Sequence, residues 1–513
     1  MTIPTPRPAS APQEPAPPTE PPAPSRRWLV MSVLGIAQLM VVLDATIMNV
    51  ALPSAQAALG ISDSDRQWVV TAYALAFGSL LLLGGRVSDL IGRRATFLLG
   101  LVGFATASAI GGAAQNFATL VSARVGQGVF AALLAPAALS LLTTTFTDPR
   151  ERAKAFAIFG ALAGTGGAVG LLLGGSLTTY ASWRWALYVN IAFAAVAFLG
   201  AVLLLPRIPR GPRPKLDLIG TLTASTGLFA LVFGLSRAET DGWSDDLTVF
   251  SLVASSALLT SFVALQRTFA RQGRHPLLPP SIVADRDRAG AFLAMLITGS
   301  GMFAVFLFLT YYLQTVMGYS AIRTGCAFLP MVAMIVVFSQ LTNLVLLPRM
   351  GARVLIPLGM AVAALAMSDW TTIDAHGDYA TEVLPGFLVL GMGLGLIFSP
   401  TIQGAVSRVH PRDAGVASAL VNTMQQVGGS IGIALLSTIA ADAAEDRLAG
   451  RESTPFALAD AAAHSYVVAF WWACAIFSVG AVVVALLLRA PAQPASSNSL
   501  SGRRSRGARS RAA

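Results

Sequence analysis

Charge is scarce in this sequence. Only 12% of its 513 residues are Asp, Glu, Lys or Arg, whereas soluble domains carry about 25%, and 55% are hydrophobic. With a mean hydropathy of +0.67, the chain has more apolar surface than a water-soluble core could bury. Uncharged runs of about 20 residues, enough for a helix to cross roughly 30 Å of hydrocarbon, recur along it. The composition excludes a soluble globular protein and predicts an all-α polytopic membrane protein.

Cysteine and histidine are also rare. Cys326 and Cys474 lie far apart in apolar runs with no CxxC spacing, which argues against a disulfide framework or a zinc site. The four histidines fall in predicted loops or helix ends on opposite sides of the membrane, so they cannot meet at one metal ion or nucleophile: His275, His376, His410 and His464. No phosphate-binding loop for ATP is present. We therefore expect no cofactor and no enzyme activity, and an ion gradient as the energy source.

The apolar runs predict fourteen membrane-spanning helices arranged as 6+2+6. The predicted organisation is a disordered, proline-rich tail at 1–27, a six-helix bundle at 28–205, two inserted helices with flanking loops at 206–288, a second six-helix bundle at 289–489 and a basic tail at 490–513.

Basic residues indicate the orientation of these helices. If the N-terminus is cytoplasmic, about four fifths of the 35 lysines and arginines fall in cytoplasmic segments, as the positive-inside rule requires. If one helix too many or too few were counted, the loops after it would change sides and the asymmetry would be lost. We therefore expect the chain in the cytoplasmic membrane with both termini cytoplasmic. The net charge of +10 is explained by these loops and by the tail "RRSRGARSR", which suits anionic inner-leaflet lipid better than nucleic acid.

Two stretches recur at nearly the same spacing. "GRRATFLLG" at 92–100 is echoed by "GARVLIPLG" at 351–359, and "PRERAKA" from Pro149 is echoed by "PRDAGVA" from Pro411. The offsets of 259 and 262 residues carry the first helix onto the ninth. Because an even number of helices separates them, the two six-helix halves are parallel repeats. Two parallel repeats with a binding site between them are an architecture typical of transporters.

Asp44, in "VVLDATIMNVALP", places a carboxylate in the apolar first helix, where a charged group costs free energy. It lies nine residues before Pro53, hence about 13 Å from the outer end of a helix that stops there. Arg124 lies at a similar depth, about 9 Å, inside the fourth helix. We predict that the two pair and that Asp44 carries a proton. A fixed structural strut, or an Arg124 that snorkels to the headgroups, remains an alternative.

The loop after the second helix reads "GGRVSDLIGRR". Its glycines permit a tight turn and the close approach of another helix, and its charges can pair at helix ends. The residues concerned are Gly85, Asp89, Gly92, Arg93 and Arg94.

This loop resembles the signature loop of the major facilitator superfamily. Together with "LDATIMNVALP", "RVGQG", "GGAVGLLLGG" and "SWRWALYVN", it resembles the fourteen-helix drug:proton antiporter family over about residues 28–489. The resemblance implies a major facilitator fold, a conformational latch in the loop of Gly85 to Arg94 and proton handling by Arg124.

Helix five carries Gly166, Gly170, Gly174 and Gly175, of which the first three recur every four residues and form a bare packing face. The resemblance makes this run a mark of exporters. The family pattern has proline after the middle glycine, where this chain has Leu171, so a proline-dependent kink is not expected.

Substrate contacts are predicted from polar side chains inside helices, each of which could instead serve helix packing. These are Asn49, Tyr311, Gln314, Asn422, Gln425 and Gln426. Because Asp44 is the only clear intramembrane acid, neutral or singly charged amphiphiles fit better than multiply cationic ones. The sequence thus predicts a monomeric, proton-coupled exporter of small amphiphilic molecules. An importer on the same fold is the nearest alternative, and a membrane sensor or enzyme is a more distant one.

Overall fold

The computed structural model describes residues 24–61, 68–206, 217–274, 276–374, 377–407, 409–410, 413–449 and 454–488. This part of the chain is helical and contains no strand. Its fourteen long helices are α1 (Pro24–Leu59), α2 (Trp68–Ile91), α3 (Arg93–Gly112), α4 (Phe117–Thr145), α5 (Pro149–Tyr180), α6 (Trp185–Leu204), α7 (Leu218–Thr240), α8 (Asp246–Arg271), α9 (Arg286–Tyr311), α10 (Ala321–Leu341), α11 (Ala352–Asp369), α12 (Leu384–Val406), α13 (Ala414–Leu448) and α14 (Pro455–Leu487).

Thirteen of these helices contain a described stretch that is long and apolar enough to cross a membrane. The other is α5, whose qualifying apolar stretch is limited to Val169–Tyr180 because side chains at 163–165 and 168 lie outside the described residues. At 32 residues, α5 is itself longer than a bilayer requires. The predicted count of fourteen helices is therefore found in the structure.

Several predicted helix ends were wrong because charges and prolines do not stop these helices. α1 begins at Pro24, inside the predicted tail, and continues through Pro53 to Leu59, so Asp44 lies deeper than expected. Proline is tolerated at the first helical position, and Arg27 pairs with Glu151 of α5 at 2.8 Å. The rest of the predicted N-terminal tail, 1–23, and the whole predicted basic tail, 490–513, lie outside the described residues.

The two halves have the same packing plan. In the first, α4 packs against α2 and α3, α1 against α4, α5 and α6, and α3 against α6. The same pairs form in the second half when each helix number is raised by eight. Even the turns correspond: Gly92 after α2 has φ 93°, and Gly351, 259 residues later, has φ 73°. Both are left-handed conformations that favour glycine.

The halves meet along two seams, and the inserted helices lie over one of them. α2 packs against α13, and α5 packs against α10 and α12. α7 contacts both α2 and α13, and α8 packs on α7. Polar contacts fix the insert to each half: Ser236 shares a 3.3 Å hydrogen bond with Thr71, and Trp243 Nε1 donates to Thr438 Oγ1 at 2.8 Å.

Candidate functional site

A buried ion pair lies inside the first half. Arg124 Nη1 is 2.6 Å from Asp44 Oδ2, and neither side chain is exposed. The guanidinium also donates from Nε to the carbonyl of Val69 at 2.9 Å. Its Nη2 has no hydrogen-bond partner among the described residues. The predicted pairing of Asp44 with Arg124 is therefore present, and the snorkelling alternative for Arg124 does not describe this structure.

Three amide and hydroxyl side chains complete the network around the carboxylate. Gln127 Nε2 donates to Asp44 Oδ1 and to Ser108 Oγ, both at 2.8 Å, and its Oε1 accepts from Arg124 at 2.8 Å. Asn190 Nδ2 donates to Asp44 Oδ1 at 2.7 Å. Each of these three side chains is at most 1% exposed. Three donors on one carboxylate stabilise its charged form against the cost of burial.

Tyr73 of α2 closes the site on its remaining side. Its ring centroid lies 4.5 Å from Cζ of Arg124, a cation–π contact, and its hydroxyl donates to the carbonyl of Val41 at 3.3 Å. Sequence reasoning missed Tyr73, Ser108, Gln127 and Asn190. Two of them stand inside motifs that were recognised, since Gln127 is three residues from Arg124 in "RVGQG" and Asn190 ends "SWRWALYVN".

Among the described residues of the second half, the corresponding helices carry no buried ion pair. α9, α10, α12 and α14, with Trp370 directly after α11, contribute an aromatic cluster instead. Its ring centroids lie 4.7 Å apart for Phe328 and Phe387, 5.5 Å for Trp370 and Phe387, and 5.3 Å for Trp370 and Phe470. Within the described part of the chain, the two repeats thus share a backbone plan but differ here, with a charge pair in the first and aromatic rings in the second.

A cavity of about 60 Å³ lies between the halves, lined by α1, α2, α4, α9 and α13. Asn422, Gln425 and Gln426 occupy one face of α13 there, at the i, i+3, i+4 spacing of a single helix side. The remaining lining is Gln38, Val41, Val42, Ala45, Tyr73, Phe77, Ala135, Met302 and Phe303. None of these residues is charged, so the lining combines amide hydrogen-bonding groups with aromatic and aliphatic surface.

Tyr311 and Gln314, the other predicted substrate contacts whose side chains are described, do not line this cavity. Tyr311 is half exposed at the end of α9, and Gln314 lies in the π-helical turn Tyr312–Val316 that follows. The side chain of Asn49 lies outside the described residues. A larger open groove of about 470 Å³ is lined by α1 and α5 alone. Because both helices belong to one half, that groove does not bridge the two repeats.

The glycine face of α5 packs on the helix that carries Asp44. A methyl group at Gly166 would lie 2.5 Å from Val42 Cγ1, one at Gly170 would overlap Thr46 Oγ1, and one at Gly174 would lie 2.8 Å from Ile47 Cγ1. Gly175 and Leu171 are buried beside this face. α5 therefore fixes the position of α1 through direct backbone approach.

The predicted loop of Gly85 to Arg94 is mostly helical, because α2 continues to Ile91 and α3 begins at Arg93, which leaves only Gly92 between the two helices. The last turns of α2 join the two halves. A methyl group at Gly85 would lie 2.7 Å from the carbonyl oxygen of Gly415 in α13, so these helices cross closely. Asp89 accepts a backbone hydrogen bond from Gly415 and lies 3.9 Å from Arg86. The positive charge of Arg93 also attracts the carboxylate of Asp89.

Arg94, in the first turn of α3, contacts its own half, since its Nη2 donates to the carbonyl of Val202 in α6 at 2.9 Å. Of the five predicted residues, Gly85 and Asp89 therefore contact the second half, at Gly415 of α13.

Comparison with known proteins decides the family. Residues 34–433 match the Major Facilitator Superfamily. The chain belongs to this superfamily. It is 48% identical to the puromycin resistance protein pur8 of Streptomyces alboniger over 90% of this chain and 92% of that one. It is 40% identical to the cephamycin export protein CmcT of Amycolatopsis lactamdurans, over 79% and 83% of the two chains.

More distant matches agree. The tetracenomycin C resistance and export protein of Streptomyces glaucescens is 31% identical, over 82% of this chain and 77% of that one. The crystal structure of the human organic anion transporter MFSD10 has the same fold, with a TM-score of 0.56 at 16% identity, and covers 89% of this chain and 100% of that one.

Proposed function

We propose that this major facilitator exports small amphiphilic antibiotics or related metabolites from the cytoplasm in exchange for protons. The observation that carries the proposal is the buried pair of Asp44 and Arg124, which adjoins a cavity between two repeats. Proton coupling needs a group that can bind and release a proton close to the substrate cavity. The carboxylate of Asp44, held beside a cation near the cavity, is such a group. The resistance and export proteins named above support the direction of transport.

Alternating access would expose the cavity to each side of the membrane in turn. In this scheme, a proton on Asp44 weakens its attraction to Arg124, and the latch between α2 and α13 favours one of the two states. The excess of basic residues supports cytoplasmic termini, with the latch on the cytoplasmic side. We further propose that the protein works as a monomer and needs no cofactor.

The cavity lining indicates the substrate class. The amides on α13 face aromatic and aliphatic groups on α1 and α2 across the cavity. The carboxylate of Asp44 is fully buried and is not part of the lining. At about 60 Å³ the cavity must widen before it admits a drug-sized molecule. The chemistry of its lining suits a neutral or singly charged molecule with several hydrogen-bonding groups and an apolar body. Puromycin is the first candidate because the 48% identical relative is a puromycin resistance protein.

The test is expression in a bacterial host that lacks its own drug pumps. We expect higher resistance to at least one of puromycin, cephamycin and tetracenomycin C, and lower accumulation of that compound until an uncoupler is added. In inverted vesicles with an acidified lumen, adding the compound should release protons from the lumen. Increased accumulation of the compound would instead indicate an importer, and normal coupling by Asp44→Asn would refute the role given to Asp44.

A further inference from the structure

Tyr73 is the side chain that touches both the cavity and the ion pair. One part of it lines the space between the halves, together with Val41 and Phe77. Its ring also lies over the guanidinium of Arg124, with 4.5 Å from Cζ to the ring centroid. Phe77, one turn further along α2, stacks on Tyr73 at 5.8 Å between centroids. The ion pair is therefore separated from the cavity by one aromatic ring.

The ring of Tyr73 stabilises the buried guanidinium of Arg124. Nε and Nη1 have hydrogen-bond acceptors, whereas Nη2 has none among the described residues. A fully buried guanidinium with an unsatisfied edge is stabilised by an aromatic face in its place. This dependence grows when Asp44 is protonated, because the cation then loses its counter-charge.

We propose that Tyr73 is the positioning residue through which substrate and proton compete. When Asp44 is protonated, Arg124 holds the ring of Tyr73 in place and the cavity is less available. When a substrate packs against Tyr73 and draws the ring from Arg124, the guanidinium requires an ionised Asp44, and the proton leaves. Linkage makes the effect reciprocal, so each ligand weakens the other by the same factor. Cation–π energies allow a factor of roughly 2 to 30.

The experiment compares three variants, and it rests on the proposed function for its transport assay. Tyr73→Leu removes the ring, Tyr73→Phe keeps it without the hydroxyl, and Phe77→Leu alters the cavity wall without touching Arg124. The probe is puromycin in proteoliposomes, with KM measured at several pH values and proton release measured for each molecule transported. We expect Tyr73→Leu to lose the pH dependence of KM and to release fewer protons. Tyr73→Phe should retain both, and Phe77→Leu should change KM by the same factor at every pH.

A second measurement does not need transport. In the substrate-free protein, the infrared band of the protonated Asp44 carboxyl, identified by its loss in Asp44→Asn, is titrated with pH. Its midpoint should shift in Tyr73→Leu and stay in Tyr73→Phe and Phe77→Leu. The proposal is overturned if Tyr73→Leu titrates like the wild type, or if Phe77→Leu uncouples equally. If puromycin is not transported but the midpoint shifts as expected, the substrate assignment fails and the role of Tyr73 stands.

Discussion

Asp44 and Arg124 approach to 2.6 Å with both side chains fully buried. Burying two charges is expensive, and their attraction offsets the cost only while both are present. We therefore expect Asp44→Leu to destabilise the protein by about 3 to 5 kcal/mol, because Arg124 is left as an uncompensated charge. Thermal unfolding of the purified protein measures this loss.

The matched control for that prediction is the double variant Asp44→Leu/Arg124→Met, which removes both charges. Its unfolding temperature should recover most of the difference, since apolar replacement of a buried ion pair is often neutral. Neither variant should transport in exchange for protons. A double variant that unfolds as early as the single one would show that the pair is not the source of the lost stability.

Gln127 gives a second prediction, because it donates to Asp44 and Ser108 at once. Gln127→Leu should cost about 1 to 3 kcal/mol, as buried polar partners are left unsatisfied. Transport should also fall, because the carboxylate of Asp44 loses one of its three hydrogen-bond donors. The control is Ser140→Ala in the same helix, which removes a fully buried hydroxyl that has no partner among the described residues. Unchanged transport in Gln127→Leu would argue that this amide serves packing alone.

The sequence was sufficient for the fold because the pattern of apolar runs, basic loops and repeats is long and redundant. It also predicted the pair of Asp44 and Arg124, since unlike charges at similar depth in one bundle have few other ways to reduce their cost. Helix ends were less predictable: α13 continues to Leu448 because charged residues do not stop a helix once it has left the hydrocarbon, and Arg447 there binds Asp460 of α14 at 3.1 Å.

Residues that complete a site from different helices are harder to predict. Asn190 and Ser108 lie on α6 and α3, and a polar side chain in a membrane helix has no sequence mark that tells which neighbour it will face. Tyr73 resembles any other aromatic residue in an apolar run. Its contact with Arg124 depends on the crossing of α2 and α4, which the sequence does not encode locally.

The glycine face of α5 gives a third prediction. In Gly170→Ala the added methyl group would overlap Thr46 of α1, so the two helices must separate and the carboxylate two residues earlier must move. We expect reduced transport and lower thermal stability. Gly78→Ala in α2 is the control, because the nearest atom to its added methyl group is Val232 Cγ2 at 3.8 Å, an ordinary contact. Equal effects of the two substitutions would rule out a special role for the α1–α5 approach.

The latch between α2 and α13 gives the last prediction. A methyl group in Gly85→Ala would lie 2.7 Å from the carbonyl oxygen of Gly415 and 2.8 Å from Cβ of Ala419, so this substitution should hold the two helices apart. Asp89→Asn should weaken the same contact more gently, because it removes the charge that Arg86 and Arg93 attract while leaving an oxygen to accept from Gly415. Both variants change the α2 side of the same crossing, one by bulk and the other by charge.

Accessibility of the cavity distinguishes these effects. With Cys326 and Cys474 replaced by serine, a single cysteine at position 422 reports access to the cavity lining. In inverted vesicles, whose cytoplasmic face is outside, alkylation by an impermeant maleimide should be faster in Gly85→Ala than in Asp89→Asn, and slowest with the native latch. Gly404→Ala in α12 is the control, since the nearest atom to its methyl group is Ala291 Cβ at 3.6 Å. Equal labelling rates in all four proteins would mean that the contact of Gly85 with Gly415 does not keep this side closed.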